Sequence, residues 1–275
     1  MKTIHMAEGI RSVQVNIPFS MLYKGYLSRF LKYRLNPEIG LDAHSLDTHS
    51  LTDFRAIASR LLTNGLSVTF HAPFMDLAPG SPDSAVRALT RRRFRQMLRL
   101  VSVFRPQTIV CHSGYDYKRY GHMQAEWLEN SLEIWEWLAA GIRKAGAVLM
   151  IENVYEQGPA EMQVLFERLQ NQGVRFCLDI GHQHAFSRST LKDWLQALAP
   201  YLGQLHLHDN DGSQDSHLAL GKGTTDLPIL FRFLKTHNVA DPLVVTLEPH
   251  RESDLWPSLE YLKETWPLVL DNKLI

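Results

Sequence analysis

The chain has 275 residues, which is long for one ordinary domain but within the range of α/β barrels, whose single domains reach roughly 250 residues. Lys and Arg together number 29, as do Asp and Glu, so no net basic field exists to hold DNA or another polyanion nonspecifically. Cys111 and Cys177 are too few for a disulfide framework, and a reducing cytoplasm fits them. The sequence shows no signal peptide and no run of roughly 18 apolar residues that could cross a membrane. We therefore predict a cytoplasmic protein, without a membrane partner, that forms a single domain over residues 1–275.

Short β-type segments alternate with helix-type segments along the whole chain. The helices are recognised by apolar residues at helical spacing, and the strands by short runs rich in β-branched and other apolar residues. The predicted strands cover residues 12–17, 37–42, 67–71, 108–112, 147–152, 174–179, 203–207 and 243–248. The predicted helices cover residues 20–34, 51–62, 84–104, 123–144, 159–172, 191–198, 226–236 and 255–269.

Eight repeats of strand and helix imply parallel strands joined by right-handed crossovers. The most economical arrangement is a closed (β/α)₈ TIM barrel, and the alternative is a doubly wound open sheet. The barrel is favoured because no Gly-x-Gly-x-x-Gly turn follows the first strand. In addition, polar residues end strands along the whole chain instead of meeting at one crevice.

Residues of the types that bind metals stand at the ends of six predicted strands and in two adjoining motifs. Any one of them could be an ordinary turn residue, and the stretch around His206 and Asp211 could be only a polar turn. Together they indicate a metal site, because all carboxyl ends of barrel strands open onto one face and uncompensated carboxylates and imidazoles are costly there. The strand-end residues are His71, His112, Glu152, Asp179, His206 and Glu248; His182 follows in D-I-G-H, and Asp215 and His217 form a D-x-H pair.

These strand ends read F-H-A-P-F, C-H-S-G, I-E-N, L-D-I-G-H, L-H-L-H-D, D-S-H-L-A-L-G-K-G and L-E-P-H. In this order they resemble the xylose-isomerase-like TIM-barrel superfamily over nearly the whole chain. That superfamily contains sugar isomerases and epimerases and also the endonuclease IV type of apurinic-site nuclease. The resemblance implies a TIM barrel, and it leaves the reaction open between these two branches.

The isomerase branch uses one divalent metal, and the matching residues here are Glu152, Asp179, His206 and Glu248, with the two glutamates also moving protons. The nuclease branch adds residues matching His71, His112, His182, Asp215 and His217 and binds three metals. The resemblance thus implies up to three ions, Zn or Mn, with Glu152 as a bridge and with Glu152 and Glu248 as catalytic residues. The implied groups are His71, His112 and Glu152; Glu152, Asp179, His206 and Glu248; and His182, Asp215 and His217.

Two departures make DNA an unlikely substrate. The loop between His206 and Asp215 is short, and His208 stands where the nuclease has an asparagine. A branch of cobamide-remodelling phosphodiesterases also shows this pattern, and the N-P-E-I-G-L-D run at residues 36–42 resembles that branch. We predict a phosphoester hydrolase acting on a small or nucleotide-like substrate, with a one-metal sugar or sugar-phosphate isomerase or epimerase as the alternative.

Four further residues are candidates for binding the substrate. Lys222 and Arg251 lie in the loops after the seventh and eighth strands, where barrels commonly hold phosphate. Asn16 ends the first strand and could shape the pocket floor, although it could equally cap a turn. His208 completes the set as the residue at the position of the nuclease asparagine.

Overall fold

The computed structural model describes residues 13–237 and 243–266. Eight parallel strands pair in sequence order, and the first also pairs with the eighth, so the sheet closes on itself. The predicted TIM barrel is therefore confirmed, and the open sheet is excluded. The strands are β1 Gln14–Pro18, β2 Asn36–Gly40, β3 Thr69–His71, β4 Thr108–His112, β5 Val148–Glu152, β6 Arg175–Asp179, β7 Leu202–Leu207 and β8 Val244–Leu247.

Helices separate the strands. They are α1 Phe19–Met21, α2 Leu27–Tyr33, α3 Ala43–Thr48, α4 Leu51–Thr63, α5 Ser84–Phe104, α6 Tyr117–Tyr120, α7 Gln124–Lys144, α8 Pro159–Leu169, α9 Ile180–Phe186, α10 Leu191–Leu198, α11 Leu227–Thr236 and α12 Glu252–Thr265. A π-helical turn, Leu22–Tyr26, joins α1 to α2, and short 3₁₀ turns follow α6, α8 and α10. Within the described ranges, no helix combines the length and apolar character that a membrane span requires.

The elements differ from the sequence prediction mainly where helices are short. The helix predicted over residues 20–34 is interrupted at Gly25, whose φ is 144°. Three helices were missed, α3, α6 and α9, and each begins after an aspartate, Asp42, Asp116 or Asp179, whose side chain accepts a backbone N–H of the first turn. The predicted first strand and last helix extend partly outside the described residues. The single domain over residues 1–275 stays a prediction.

The core has two parts because successive strand residues face opposite sides of a barrel wall. One face packs against the helices in a continuous apolar layer, which includes Phe70 and Ile151. The other face fills the barrel, where Val110, Met150 and Cys177 form a small apolar layer. Each of these three residues lies two positions before a residue of the predicted metal site, so the same alternation directs His112, Glu152 and Asp179 toward the barrel axis.

Candidate metal centre

Glu152, at the end of β5, lies at the centre of the group of polar residues in the barrel mouth. Its side chain is buried, and its carboxylate oxygens lie 3.2 Å from His71 Nε2, 3.6 Å from His112 Nε2 and 3.2 Å from His182 Nδ1. We call the surrounding set the mouth cluster. It consists of His71, His112, Glu152, Asp179, His182, His206, His208, Asp215, His217 and Glu248.

The first predicted ligand group, His71, His112 and Glu152, is brought together at the ends of β3, β4 and β5. Each of the three residues offers one ligand atom, and these atoms lie within 4.8 Å of one another. His71 Nδ1 lies 3.1 Å from the carbonyl oxygen of Ala72, which can only accept, so Nδ1 carries the hydrogen and Nε2 is free to bind a metal. Burial lowers the pKa of His112 to about 3, which keeps this imidazole neutral and available as a ligand.

The third predicted group, His182, Asp215 and His217, is also brought together, and His208 joins it. Asp215 Oδ2 lies 3.3 Å from His182 Nε2 and 3.0 Å from His217 Nε2. In both histidines Nδ1 donates to a backbone carbonyl, of Asn153 or of Glu248, at 3.0 Å. Both rings therefore present Nε2 to the same aspartate, as two ligands of one ion would.

His208 was predicted to bind substrate, and its position also suits a metal ligand. It lies two residues after His206, and such residues face the same side of a strand, so both rings turn inward. His208 Nε2 lies 3.1 Å from both carboxylate oxygens of Asp179, and its ring stacks on that of His217 at 3.7 Å. The D-I-G-H glycine makes room for it, because a Cβ at Gly181 would lie 1.9 Å from His208 Cε1.

The loop that carries Asp215 and His217 is closed by its own hydrogen bonds. Asp209 and Leu218 exchange two backbone hydrogen bonds, of 3.0 and 2.7 Å. The Asp209 carboxylate then accepts the backbone N–H groups of Gly221 at 2.9 Å and Thr225 at 3.0 Å. Because a Cβ at Gly223 would lie 2.2 Å from the carbonyl oxygen of Asn210, only glycine fits this closure. The closed loop holds the D-x-H pair over the barrel mouth.

The second predicted group, Glu152, Asp179, His206 and Glu248, does not appear as one compact set. Its members are shared among three overlapping groups: His71, His206 and Glu248; Glu152, Asp179 and His182; and Asp179, His208 and Glu248. His206 Nδ1 lies 3.1 Å from Glu248 Oε1 and 3.5 Å from Glu152 Oε1, which places this ring between the two glutamates.

Below the mouth cluster lies a layer of polar residues that sequence reasoning missed, centred on the fully buried Glu38. One carboxylate oxygen faces His206 Nε2 at 3.0 Å, so this nitrogen carries the hydrogen and Nδ1 points into the cluster. Burial alone would raise the pKa of Glu38, but His206 lowers it. We call this set the Glu38 layer; with Glu38 it comprises Asn16, Thr69, Gln204 and Thr246, all of which donate to Glu38 at 2.6–3.2 Å.

The hydrogen bonding and charge of the polar atoms in the mouth cluster suit divalent cations. Glu152 Oε1, His206 Nδ1, His208 Nδ1 and Asp215 Oδ1 are buried without a hydrogen-bond partner. Buried polar atoms are normally paired, and four unpaired ligand-type atoms in one cluster fit the binding of a cation. Burial would raise the pKa of Glu152, but His206 and His112 lower it, so this carboxylate is charged; burial raises the pKa of Glu248.

The predicted substrate residues lie at different depths. Asn16 Nδ2 donates to Glu38 and to Glu248 at 3.2 Å each, so it links the Glu38 layer to the mouth cluster. Lys222 and Arg251 are exposed. Within the described residues, neither side chain forms a hydrogen bond or an ion pair with the mouth cluster. His250 was missed, and its ring stacks on His217 at 3.7 Å. Its signal was present in the sequence as the histidine two residues after Glu248.

The family model of the xylose isomerase-like TIM barrel matches residues 31–265, so the chain belongs to this family. Two relatives come from Methanocaldococcus jannaschii. The uncharacterized protein MJ1311 is 25% identical over 211 residues, covering 74% of this chain and 71% of its own. The uncharacterized protein MJ1614 is 27% identical over 205 residues, covering 72% and 77%.

Solved structures show the same fold. The TTHB071 protein from Thermus thermophilus, solved after soaking with ZnCl₂, is 28% identical, covers 92% of this chain and 97% of its own, and superposes with a TM-score of 0.79. D-psicose 3-epimerase with D-tagatose from Clostridium cellulolyticum H10 is 15% identical, covers 92% and 98%, and has a TM-score of 0.74. At that identity the second likeness concerns the fold alone.

Proposed function

We propose that this protein is a divalent-metal-dependent phosphoester hydrolase that acts on a small or nucleotide-like substrate. The observation that carries the proposal is the group of His182, His208, Asp215 and His217. An isomerase with one metal needs only Glu152, Asp179, His206 and Glu248, so a second, separate set of ligands calls for further ions. Phosphoester hydrolysis uses such ions, because charge develops on several oxygens at once.

The donor set indicates where the ions would bind. Imidazoles and carboxylates together suit Zn or Mn. His71, His112 and Glu152 would hold one ion, and His182, His208, Asp215 and His217 another. Asp179, His206 and Glu248, beside Glu152, would hold a third. When bound, such ions would activate water near neutral pH and neutralise charge on the phosphate.

The chain's own residues would orient the substrate and limit the access of water. Phe74 stacks on His112 at 4.3 Å and Phe186 on His182 at 5.9 Å, so apolar rings flank the two outer ligand groups. Glu248 Oε1 accepts from Asn16, while Oε2 lies 4.0 Å from His208 Nε2. Because Oε1 already accepts this hydrogen bond, Oε2 would be the carboxylate atom through which Glu248 meets an ion or the substrate.

A small substrate is favoured over DNA. The chain has a formal net charge of zero, and the loop bearing Asp215 and His217 is short and folded back on itself. A duplex would find neither a basic surface nor a wedge to open it. The nucleotide loop of a cobamide is the first phosphodiester to test.

The alternative function is that of a sugar or sugar-phosphate isomerase or epimerase. Several solved structures with this fold are named as epimerases, including D-psicose 3-epimerase and 3-keto-D-glucoside 4-epimerase from E. coli. Glu152 and Glu248 would then move protons on opposite sides of one carbon, and Asp215 and His217 would only contact substrate hydroxyls. Losing one such hydrogen bond costs about 1 to 3 kcal/mol.

The double variant Asp215→Ala/His217→Ala separates the two functions. For a hydrolase we expect one bound metal to be lost and phosphodiester hydrolysis to fall on the order of a thousandfold or more, because a cation that stabilises developing charge is removed. The matched control is Asp211→Ala/His237→Ala, which removes the same two side-chain types from exposed positions outside the cluster. Two results together would contradict the hydrolase proposal. The wild-type protein would interconvert ketoses and leave every phosphoester intact, and the double variant would bind as much metal as the wild type.

The number of ions per chain is a second test of the proposal. We expect elemental analysis of metal-replete protein, supported by anomalous scattering from crystals, to find more than one divalent ion per chain. A single ion at saturation would remove the basis for a multinuclear hydrolase and favour the epimerase.

A further inference from the structure

A cavity of about 310 Å³ opens on the same end of the barrel as the mouth cluster, and the function proposed above does not use it. Three connections of the barrel form its wall: the segment after β4, the segment after β5 and the segment after α9. We call it the rim cavity. Its lining residues are Tyr117, Lys118, Gly121, His122, Gln157 and Arg188.

The rim cavity is held in shape by hydrogen bonds between two of its walls. The carbonyl oxygen of Gln157 accepts the backbone N–H of Arg188 and the hydroxyl of Ser187, both at 3.0 Å. The side chain of Gln157 donates back to the carbonyl oxygen of Phe186 at 3.4 Å. The positions of Gln157 and Arg188 are therefore fixed relative to each other before any ligand arrives.

The charge of the rim cavity is positive. Lys118 and Arg188 line it, together with His122, and no carboxylate does. The nearest acidic residues are engaged elsewhere: Asp116 accepts the backbone N–H of Lys118 at 2.9 Å and lies 3.5 Å from Arg119, and Glu161 accepts that of Gln157 at 2.6 Å. Within the described part of the chain, the side chains of Lys118 and Arg188 form no ion pair. Both cationic groups are free to meet an anion.

The rim cavity lies within reach of a molecule bound at the mouth cluster. Gln157 follows Glu152 by five residues, so their Cα atoms are at most about 18 Å apart even along an extended chain. Phe186 contacts residues of both sites: its ring centroid lies 5.9 Å from that of His182, and its carbonyl oxygen accepts the side chain of Gln157 at 3.4 Å. The half-exposed ring of Tyr155 packs against Phe186, with ring centroids 5.0 Å apart.

We propose that the rim cavity binds a second phosphate-type group of the substrate, distant from the phosphoester that reacts at the mouth cluster. Lys118 and Arg188 would supply charge-assisted hydrogen bonds, with the guanidinium able to contact two oxygens at once. The identity of the reacting group rests on the proposed function, whereas the anion site rests on the cavity itself. The cavity selects substrates that carry two anionic groups.

The test measures binding without turnover. Zinc-loaded protein is titrated calorimetrically with a series of straight-chain alkane α,ω-bisphosphonates and with the alkyl monophosphonates of equal chain length. We expect one length of bisphosphonate to bind at least tenfold more tightly than its monophosphonate, because one molecule then engages both sites. Lys118→Ala/Arg188→Ala should abolish this gain. Arg119→Ala, which removes a neighbouring cation outside the cavity, should retain it.

Two results would overturn the rim-cavity proposal: no bisphosphonate gains over its monophosphonate, or the gain survives in Lys118→Ala/Arg188→Ala. The mutated side chains are exposed, so both variants should unfold at the same temperature as the wild type. A lower unfolding temperature would reveal a variant that has lost its fold. The two proposals fail separately. Zinc-loaded protein that shows the gain but hydrolyses no phosphoester contradicts the proposed function only, whereas hydrolysis without the gain contradicts the rim cavity only.

Discussion

Two polar layers lie one above the other inside this barrel, and they differ in how far their charges are compensated. In the Glu38 layer, one buried carboxylate meets five donor groups, from Asn16, Thr69, Gln204, Thr246 and His206. In the mouth cluster above it, four ligand-type atoms are buried without a hydrogen-bond partner. The charge of the lower layer is compensated by protein donors alone, whereas the unpaired ligand-type atoms of the upper layer fit cations.

The difference shows what decides whether a buried carboxylate is charged. Burial itself raises the pKa of every such group, and what decides its state is the number and charge of its partners. Glu38 has enough donors to stay ionised and to orient His206. Glu152 has imidazoles as neighbours but retains an unpaired oxygen, and so it can accept a cation.

Breaking the upper layer should have the largest effect. Glu152→Gln keeps the shape of the side chain but removes the charge that the outer ligand groups share. We expect loss of bound metal and a fall in kcat of at least about a thousandfold under either proposed reaction. Metal content and kcat are measured beside Glu126→Gln, an exposed control. Full activity in Glu152→Gln would show that the active site lies elsewhere.

Glu156 is a buried glutamate with few hydrogen-bond donors, so it tests whether the number of donors decides the charge of a buried carboxylate. It accepts from the hydroxyl of Ser113 and from the backbone N–H of Val154, and burial raises its pKa to about 7 from 4.5. The pKa of Glu156 is higher in the folded than in the unfolded protein, so the folded state binds the proton more tightly. The contribution of this proton to the free energy of unfolding is complete below pH 4.5 and is lost as the pH rises through 7.

We expect the free energy of unfolding of wild type, relative to Glu156→Gln, to fall by about 3 kcal/mol between pH 4.5 and 8. Chemical unfolding in a chelating buffer at several pH values measures this difference without metal binding. Parallel pH profiles for the two proteins would mean that Glu156 is not protonated on folding.

Disrupting the Glu38 layer should weaken metal binding in the mouth cluster above it. In Glu38→Gln the carboxylate no longer fixes the hydrogen on His206 Nε2, so this ring is a poorer ligand. We expect metal affinity to fall about 10- to 100-fold, as found when such outer partners are lost. Competition with a fluorescent chelator measures it. A variant that is less stable but binds metal with unchanged affinity would assign Glu38 a purely structural role.

The smallest effect is expected from Thr69→Val, which is the control for Glu38→Gln. It removes one neutral donor, at 3.0 Å from Glu38, while the other donors remain. Stability should fall by about 1 kcal/mol, and metal affinity should change less than in Glu38→Gln. Equal losses of affinity in the two variants would mean that packing, and not the orientation of His206, governs metal binding.

The fold and most of the mouth cluster could be predicted because six of the eight strands end in a recognisable polar motif. His182 and the D-x-H pair needed only their local spacing. Glu38 was missed because it lies between Pro37 and Ile39 in a short strand, and its partners Asn16, Thr69 and Gln204 meet it only once the barrel closes. The helix α9 was missed because seven residues, including Gly181 and two histidines, show too little apolar periodicity.

The closed loop after β7 has a consequence for how this scaffold diversifies. Asp209 and Leu218 pair at its base, and the loop carries Asp215 and His217 with few bonds to the rest of the barrel. A segment stabilised mainly by its own hydrogen bonds can be replaced by another without unfolding the sheet. Exchange of this one segment would therefore add or remove two of the four ligands in the group of His182, His208, Asp215 and His217, so that a lineage could weaken or strengthen metal binding there without altering its eight strands.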